Sequence, residues 1–255
     1  MTLYDNPVSP FAFKVRATIY EKGIDVEKRE ILKQDQRAML LAVNPRGEVP
    51  ALVDGDVVLA DSKVICAYLE ATYPEPALLP KDPALRARAQ YLELGIDTEI
   101  DAAVFVLGTV KLMKPDLARD VPDAPARVEA LLARHYTYLE CELGGREWLL
   151  GTFSLVDIAL APHVRVAAFM GFPPGPEHPG LAAWLERASK RPSIRQATRE
   201  MGAAHTASLG DPDALFDRRR MHWRNDRIEC ALRCGLGPWL VAELAADRAY
   251  LSPTP

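Results

Sequence analysis

No run of about 20 consecutive apolar residues occurs in this chain, so nothing in it reads as a bilayer-spanning helix. A surplus of positive charge is missing too. The 31 Lys and Arg against 35 Asp and Glu leave a net charge of −4, which argues against the phosphate-driven affinity of a nucleic-acid binder. The four cysteines (Cys66, Cys141, Cys230, Cys234) lie in helical-looking segments without the dense spacing of a disulfide-stapled secreted domain. MTLYDNPVSP has no basic stretch followed by an apolar core, which predicts no secretory signal and a reducing, cytoplasmic setting. Internal repeats and low-complexity segments are also lacking. What remains is an ordinary globular composition, 49% hydrophobic and 26% charged, on 255 residues, enough for one large core or two modest ones.

The periodicity changes partway along. Residues 1–80 mix strand-like and helical runs: strand Thr2–Tyr4, helix Pro10–Lys22, strand Val26–Ile31, a short helix near Arg37–Ala42, strands Ala51–Val53 and Val57–Ala60, and helix Ser62–Ala71. Gly23 in EKGI marks a left-handed helix end, and Asp-Gly in VDGDVV marks a hairpin. The β-α-β-α-β-β-α order predicts an α/β domain with a small mixed sheet covered by helices. The proline-rich YPEPALLPKDP predicts an extended linker. Beyond it, amphipathic stretches at Ala84–Met113, Ala124–Leu143, Ser154–Met170, Gly180–Lys190 and Ser193–Met201 predict an all-α domain over residues 81–210. Residues 211–255, rich in Arg and Trp, read as a C-terminal helical extension.

Three short motifs in the first domain carry chemistry-capable groups. In VSPFAFKVR, Ser9 precedes Pro10 at a helix start, where Ser is a good N-cap and Pro a good first residue. Its hydroxyl is then either a cap or a donor aimed at something reactive, and the local sequence fits both. In NPRGEVPAL, Val49-Pro50 heads a strand. A cis bond there would turn the Val49 backbone outward to pair with an extended peptide, and a trans bond would simply start the strand. In ADSKVICAYLE, Asp61-Ser62 opens a helix, either as an ordinary cap or as a site for a ligand with α-amino and α-carboxyl groups.

Together these stretches, with ADSKVICAYLEATYPEP running into the linker and GTFSLVDIAL in the helical region, resemble the cytosolic glutathione transferase family over about residues 1–200. VSPFAFKVR is most similar to the serine-type members, especially the tau group. The resemblance implies a thioredoxin-like first domain followed by the all-α domain. It implies that Ser9 donates a hydrogen bond to the sulfur of glutathione, and that Val49, Pro50, Asp61 and Ser62 hold the tripeptide. Two positions depart from the family: Asp61 stands where Glu is common, and Glu48 where Lys or Gln is common. Arg46, or else Lys33, is the substitute donor for the glycyl carboxylate. Ser154 and Asp157 match the family's helical-domain motif as a capping box, a folding element.

The resemblance also implies a homodimer, no cofactor beyond glutathione as co-substrate, and a small hydrophobic electrophile bound between the first loop and the fourth helix. Phe11, Phe105 and Thr109 are the pocket candidates, with Leu112 on the same helix face; plain core packing is the competing role for all of them. A thiol of pKa ~8.5 must be lowered by about two units, or roughly 2.7 kcal/mol, to be mostly thiolate near neutrality. One charge-assisted hydrogen bond plus a helix start supplies that. Serine at position 9 excludes the mixed-disulfide chemistry open to cysteine. Tyr4 is a second hydroxyl candidate. The same first half-reaction serves lyase or ether cleavage, dehalogenation and isomerisation. A non-catalytic interaction module, like stringent starvation protein A, is the reading from another class. His222, Cys230 and Cys234 lack a fourth ligand at metal-site spacing, so no metal is expected. DRRRMHWRNDR reads as a solvated helix face, and the tail is open to two roles: covering the site mouth with Trp223 inward, or supporting a dimer.

Overall fold

In the computed structural model, residues 1–31, 36–210 and 221–251 are described. Lys33 and the first ten residues of the extension, 211–220, fall outside them. The first domain follows the sequence closely: β1 (Thr2–Asp5), α1 (Pro10–Lys22), β2 (Glu27–Glu30), α2 (Arg37–Leu41), β3 (Ala51–Asp54), β4 (Val57–Ala60) and α3 (Ser62–Thr72). The sheet order is β2-β1-β3-β4, with β2 parallel to β1 and the other pairs antiparallel. Alternation along β1 sorts side chains to two faces. Leu3 joins Leu52, Phe13, Ile65 and Leu69 on the α1/α3 face, while Tyr4 joins Ile31, Leu40 and Ala51 on the α2 face. Tyr4 is thereby a core residue whose hydroxyl accepts from Arg29 at 3.4 Å.

Helix α1 is buried along nearly its whole length because the sheet and α3 cover one side and the helical domain the other. It ends at Gly23, φ +63°, whose N–H returns to the last-turn carbonyls. Two residues that look like a solvent stripe, Lys14 and Arg16, are each 1% exposed and face the second domain. Lys14 pairs with Glu93 at 2.9 Å and Asp97 at 2.5 Å; Arg16 pairs with Asp5 at 2.7 Å and approaches Glu200 at 3.1 Å. The linker is extended and pinned on both sides. Lys22 donates to Tyr73 O and Pro76 O, and the Glu70 carboxylate accepts from the N–H groups of Leu78 and Leu79.

The second domain contains α4 (Pro83–Gly95), α5 (Asp101–Gly108), α6 (Leu117–Asp120), α7 (Ala124–Leu143), α8 (Leu155–Phe169), α9 (Pro179–Lys190) and α10 (Pro192–Gly210). The stretch expected as one helix from Ala84 to Met113 is continuous but interrupted by π-helical turns at Ile96–Ile100 and Thr109–Met113. At the head of α8, Asp157 does more than box the cap: it accepts from Ser154 N–H, Ser154 Oγ, Leu149 N–H and Trp184 Nε1. The tail differs from a purely helical extension. It has α11 (Asn225–Arg233) and α12 (Gly237–Ala245) framed by a parallel pair, β5 (Met221–Trp223) and β6 (Ala249–Leu251). Trp223 is fully buried, wedged edge-on between Phe105 and Trp239. Among the described residues, no helix is long and apolar enough to cross a membrane.

Candidate active site

The register puts three loops at one end of the sheet. Tyr4 pairs with Ala51 and Ala51 with Ala60, so the chain leaving β1, entering β3 and leaving β4 converges there. Ser9 sits at the first of these points. Its backbone is extended (φ −72°, ψ 126°), its Oγ accepts from Ala12 N–H at 3.3 Å, and it is partly exposed. The turn before it is built by Asn6, whose Oδ1 accepts from Val8 N–H at 3.1 Å and whose C=O accepts from Ser9 N–H at 2.9 Å. Beneath the turn, Arg16 donates to both Asp5 carboxylate oxygens, to Pro7 O at 2.8 Å and to Asn6 O at 3.4 Å. A buried guanidinium thus ties the Ser9 turn to the sheet and to α10.

At the second point the Val49-Pro50 bond is cis and Pro50 is buried. The preceding loop is held by buried Asn44, which accepts from Arg46 N–H and donates to Glu48 O. Gly47 (φ +64°) packs against the Arg37 and Leu41 side chains, where a Cβ would crowd both. Arg46 and Glu48 pair with each other at 2.8 Å. At the third point Asp61 has φ +76° and ψ 128°, a conformation costing a non-glycine residue about 1–3 kcal/mol. Its Oδ1 caps α3 by accepting from the N–H groups of Lys63 at 2.8 Å and Val64 at 3.3 Å. Ser62 follows, 3% exposed.

Between the domains lies a cleft of ≈ 350 Å³. The first domain lines it with Phe11, Arg46, Asp61 and Lys63, and α4 with its π turn supplies Leu94, Asp97 and Thr98. The extension closes it with Arg224, Asn225 and Asp226. Ser9, Glu48, Val49, Pro50 and Ser62 are not part of this lining, although Ser9 is two residues from Phe11. Of the three residues expected to hold a second substrate, Phe11 lines this cleft and Phe105 and Thr109 do not. Thr109 is fully buried with its Oγ1 donating to Phe105 O, and Phe105 lies under Trp223 and the Arg227 guanidinium, 3.9 Å from its ring. Leu112 is exposed instead of turned to a common face. The extension has taken up the apolar surface that Phe105 would have offered.

Most cleft charges are already paired. Arg46 holds Glu48, Asp97 holds Lys14, and Arg224 holds Asp226 at 2.6 Å and Asp101 at 3.2 Å. Burial lowers the Lys14 pKa, but Asp97 and Glu93 outweigh it and leave the ammonium more firmly protonated than usual. Burial likewise raises Asp101, yet Arg227, His163 and Arg224 hold it below the ordinary carboxylate range. Among the described residues, Asp61 and Lys63 have no opposite side-chain charge within 4.0 Å; Lys63 Nζ donates only to Gln90 O.

His222 stacks on Tyr250 and lies 3.6 Å from Glu48, while Cys230 and Cys234 are buried around the end of α11. Burial, opposed by Glu48, pulls the His222 pKa down to about 4. The unfolded chain protonates a histidine near pH 6.5, so its contribution to stability is whole above that pH and is lost as pH falls toward 4. We expect the stability difference between wild type and His222→Asn to be constant above pH 7 and to shift toward the variant between pH 6.5 and 4 in urea unfolding. A difference independent of pH over that window would show that His222 protonates freely in the fold.

With this geometry in place, the family model described as "Glutathione S-transferase, N-terminal domain" matches residues 3–77, and that described as "Glutathione S-transferase, C-terminal domain" matches residues 122–187. The chain belongs to the glutathione S-transferase family. FtsZ-localized protein A of Caulobacter vibrioides is 31% identical over 223 residues, covering 83% of this chain and 97% of that protein. Glutathione S-transferase Z1 of Arabidopsis thaliana is 33% identical over 207 residues, 78% of this chain and 92% of that one. A solved glutathione S-transferase from Rhodospirillum rubrum is 34% identical with a TM-score of 0.67, covering 77% and 90% of the two chains.

Lys63, Asp97 and Arg224, which line the cleft, and Arg16, which braces the Ser9 turn, are residues that sequence reasoning passes over. Lys63 left a readable trace. A cation in the first turn of α3, where the helix dipole favours acids, is out of place unless it serves something outside the helix. Arg16 and Arg224 left none: Arg16 lies on a helix face that only the docking of the second domain, with Glu200, buries, and Arg224 reaches Asp97 and Asp101 only through the fold of the extension.

Proposed function

We propose that this protein is a glutathione-dependent transferase in which Ser9 stabilises the glutathione thiolate. The observation that carries the reading is the pair of side chains at the head of α3 that, among the described residues, have no opposite side-chain charge within 4.0 Å. Asp61 and Lys63, side by side at the cleft, complement the α-ammonium and α-carboxylate of a γ-glutamyl group. Ser62 starts the same helix turn. From there the tripeptide runs along the Val49-Pro50 segment, outside the β3 ladder that begins at Ala51, with Arg46 toward its glycyl end. The sulfur then reaches the start of α1. Ser9 Oγ accepts from Ala12 N–H while keeping its own proton to donate to sulfur, so the cap orients the catalytic hydrogen bond.

The thiol proton leaves to solvent, the thiolate forms the C–S bond, and the electrophile's leaving group departs with its electron pair. Isomerisation and lyase chemistry share this first half, and a homodimer belongs to the same proposal. The reading is tested by titrating glutathione into the protein and following thiolate absorbance. Saturable binding with a growing thiolate band is expected. The second reading, an interaction module without chemistry, is favoured by the Arg46–Glu48 pair, which occupies the donor meant for the glycyl carboxylate, and by the relative named for its localisation with FtsZ. Absence of saturable glutathione binding would select it.

A further inference from the structure

We propose that the C-terminal extension, residues 221–251, sets the second-substrate specificity of the site and restricts it to small, polar, hydrogen-bonding electrophiles. This rests on the glutathione reading above. Three independent features carry it.

The first is the loss of apolar surface. Phe105 faces Trp223 at 5.2 Å, nearly perpendicular, and the Arg227 guanidinium at 3.9 Å, while Trp223 is itself backed by Trp239. The one aromatic ring left in the cleft, Phe11, has the Arg224 guanidinium over its face at 4.6 Å.

The second is space. The cleft's ≈ 350 Å³ lies at the low end of the ~300–1,000 Å³ usual for small-molecule sites. With part of it taken by glutathione, little is left for a bulky group. Apart from Phe11 and Leu94 its lining is polar or charged. An apolar group placed there would strip water from Arg224, Asn225 and Asp226 without replacing the lost hydrogen bonds.

The third is mutual fitting of helix and extension. The π turn at Ile96–Ile100 departs from the regular helical ladder, as such turns often do at functional sites. The Asp97 carbonyl there accepts from Arg224 Nη2 at 2.8 Å, and Asp97 and Thr98 line the cleft. Arg227 and Arg224 both anchor on buried Asp101 immediately after the turn. The wall made by the extension is therefore keyed into the helix that faces glutathione. In the reaction it admits, sulfur forms the new C–S bond, the carbon–halogen bond breaks, halide leaves with the electron pair, and the thiol proton goes to water.

The test compares 2-bromoacetamide with benzyl bromide, which share bromide displacement but differ in polarity and bulk. Glutathione binding is measured separately by calorimetry. The wild type is expected to accelerate the bromoacetamide reaction, relative to the uncatalysed one, at least tenfold more than the benzyl reaction. Trp223→Ala, which reopens the face of Phe105, and Arg224→Ala are each expected to cut that preference at least tenfold. Should Trp223→Ala fail to fold, the wild-type preference and Arg224→Ala still decide. Glutathione binding with equal or greater acceleration of benzyl bromide, or an unchanged preference in the folded variants, overturns this inference alone. No glutathione binding at all overturns it together with the reading on which it rests.

Discussion

Ser9→Asp is expected to lower kcat/KM for glutathione-dependent turnover about 100-fold while leaving the start of α1 intact. Aspartate caps a helix as well as serine does, so the bond from Ala12 N–H survives. What is lost is the donated proton, replaced by a carboxylate that repels the thiolate. Two pKa units of thiolate stabilisation amount to roughly 2.7 kcal/mol, hence the hundredfold. Ser9→Ala is the complementary change: it removes cap and donor together, adding a stability loss of about 1 kcal/mol to the same kinetic defect. Steady-state kinetics beside urea unfolding separates the two roles. If Ser9→Asp keeps wild-type kcat/KM, the hydroxyl is only a cap.

Arg16→Met is expected to destabilise the protein by about 3–5 kcal/mol, the usual consequence of orphaning a buried charge. Among the described residues, Asp5, 1% exposed, would lose its one cation of direct contact, and Glu200 would keep only Lys28 and Tyr20. Methionine fills similar volume, so packing contributes little to the loss. The same substitution removes the guanidinium bonds to Pro7 O and Asn6 O beneath the Ser9 turn, leaving Asn6 O only its bond from Ser9 N–H among the described residues, and activity of the folded protein should fall by about 10- to 100-fold through misplacement alone. Pairing it with Asp5→Asn should return a large part of the stability but not the activity, because the turn stays unanchored. Equal recovery of both would show that the arginine serves the core and not the turn. Urea unfolding and kinetics of the two variants supply both readings.

The first domain was legible almost residue by residue because its signals are local. Ser9-Pro10 starts α1, Gly23 ends it, Asp-Gly turns the β3–β4 hairpin, and Asp61 caps α3. The convergence of the Ser9, Val49-Pro50 and Asp61-Ser62 stretches at one end of the sheet was legible for the same reason, whereas Lys63 on the cleft wall was not. The rest depends on tertiary context. Lys14 and Arg16 look like a solvent stripe, and only the docking of the helical domain turns them into buried ion pairs. The π turns carry no composition signal distinct from ordinary helix, so the long helix looked uninterrupted and Asp97 and Thr98 went unnoticed. Helical spacing from Phe105 to Thr109 suggested a shared apolar face, but it could not reveal that Trp223, more than a hundred residues later, would cover it.

The claim on which everything else depends is that glutathione binds at the heads of α1 and α3 and is ionised there. Calorimetric titration in buffers of different ionisation enthalpy reads both parts at once, as affinity and as protons released. If a bound thiol near pKa 6.5 replaces a free one near 8.5, about 0.7 proton per site should leave at pH 7, and the number should fall toward zero in Ser9→Asp. Binding with no proton release would contradict thiolate stabilisation by Ser9, and no binding would contradict the site itself.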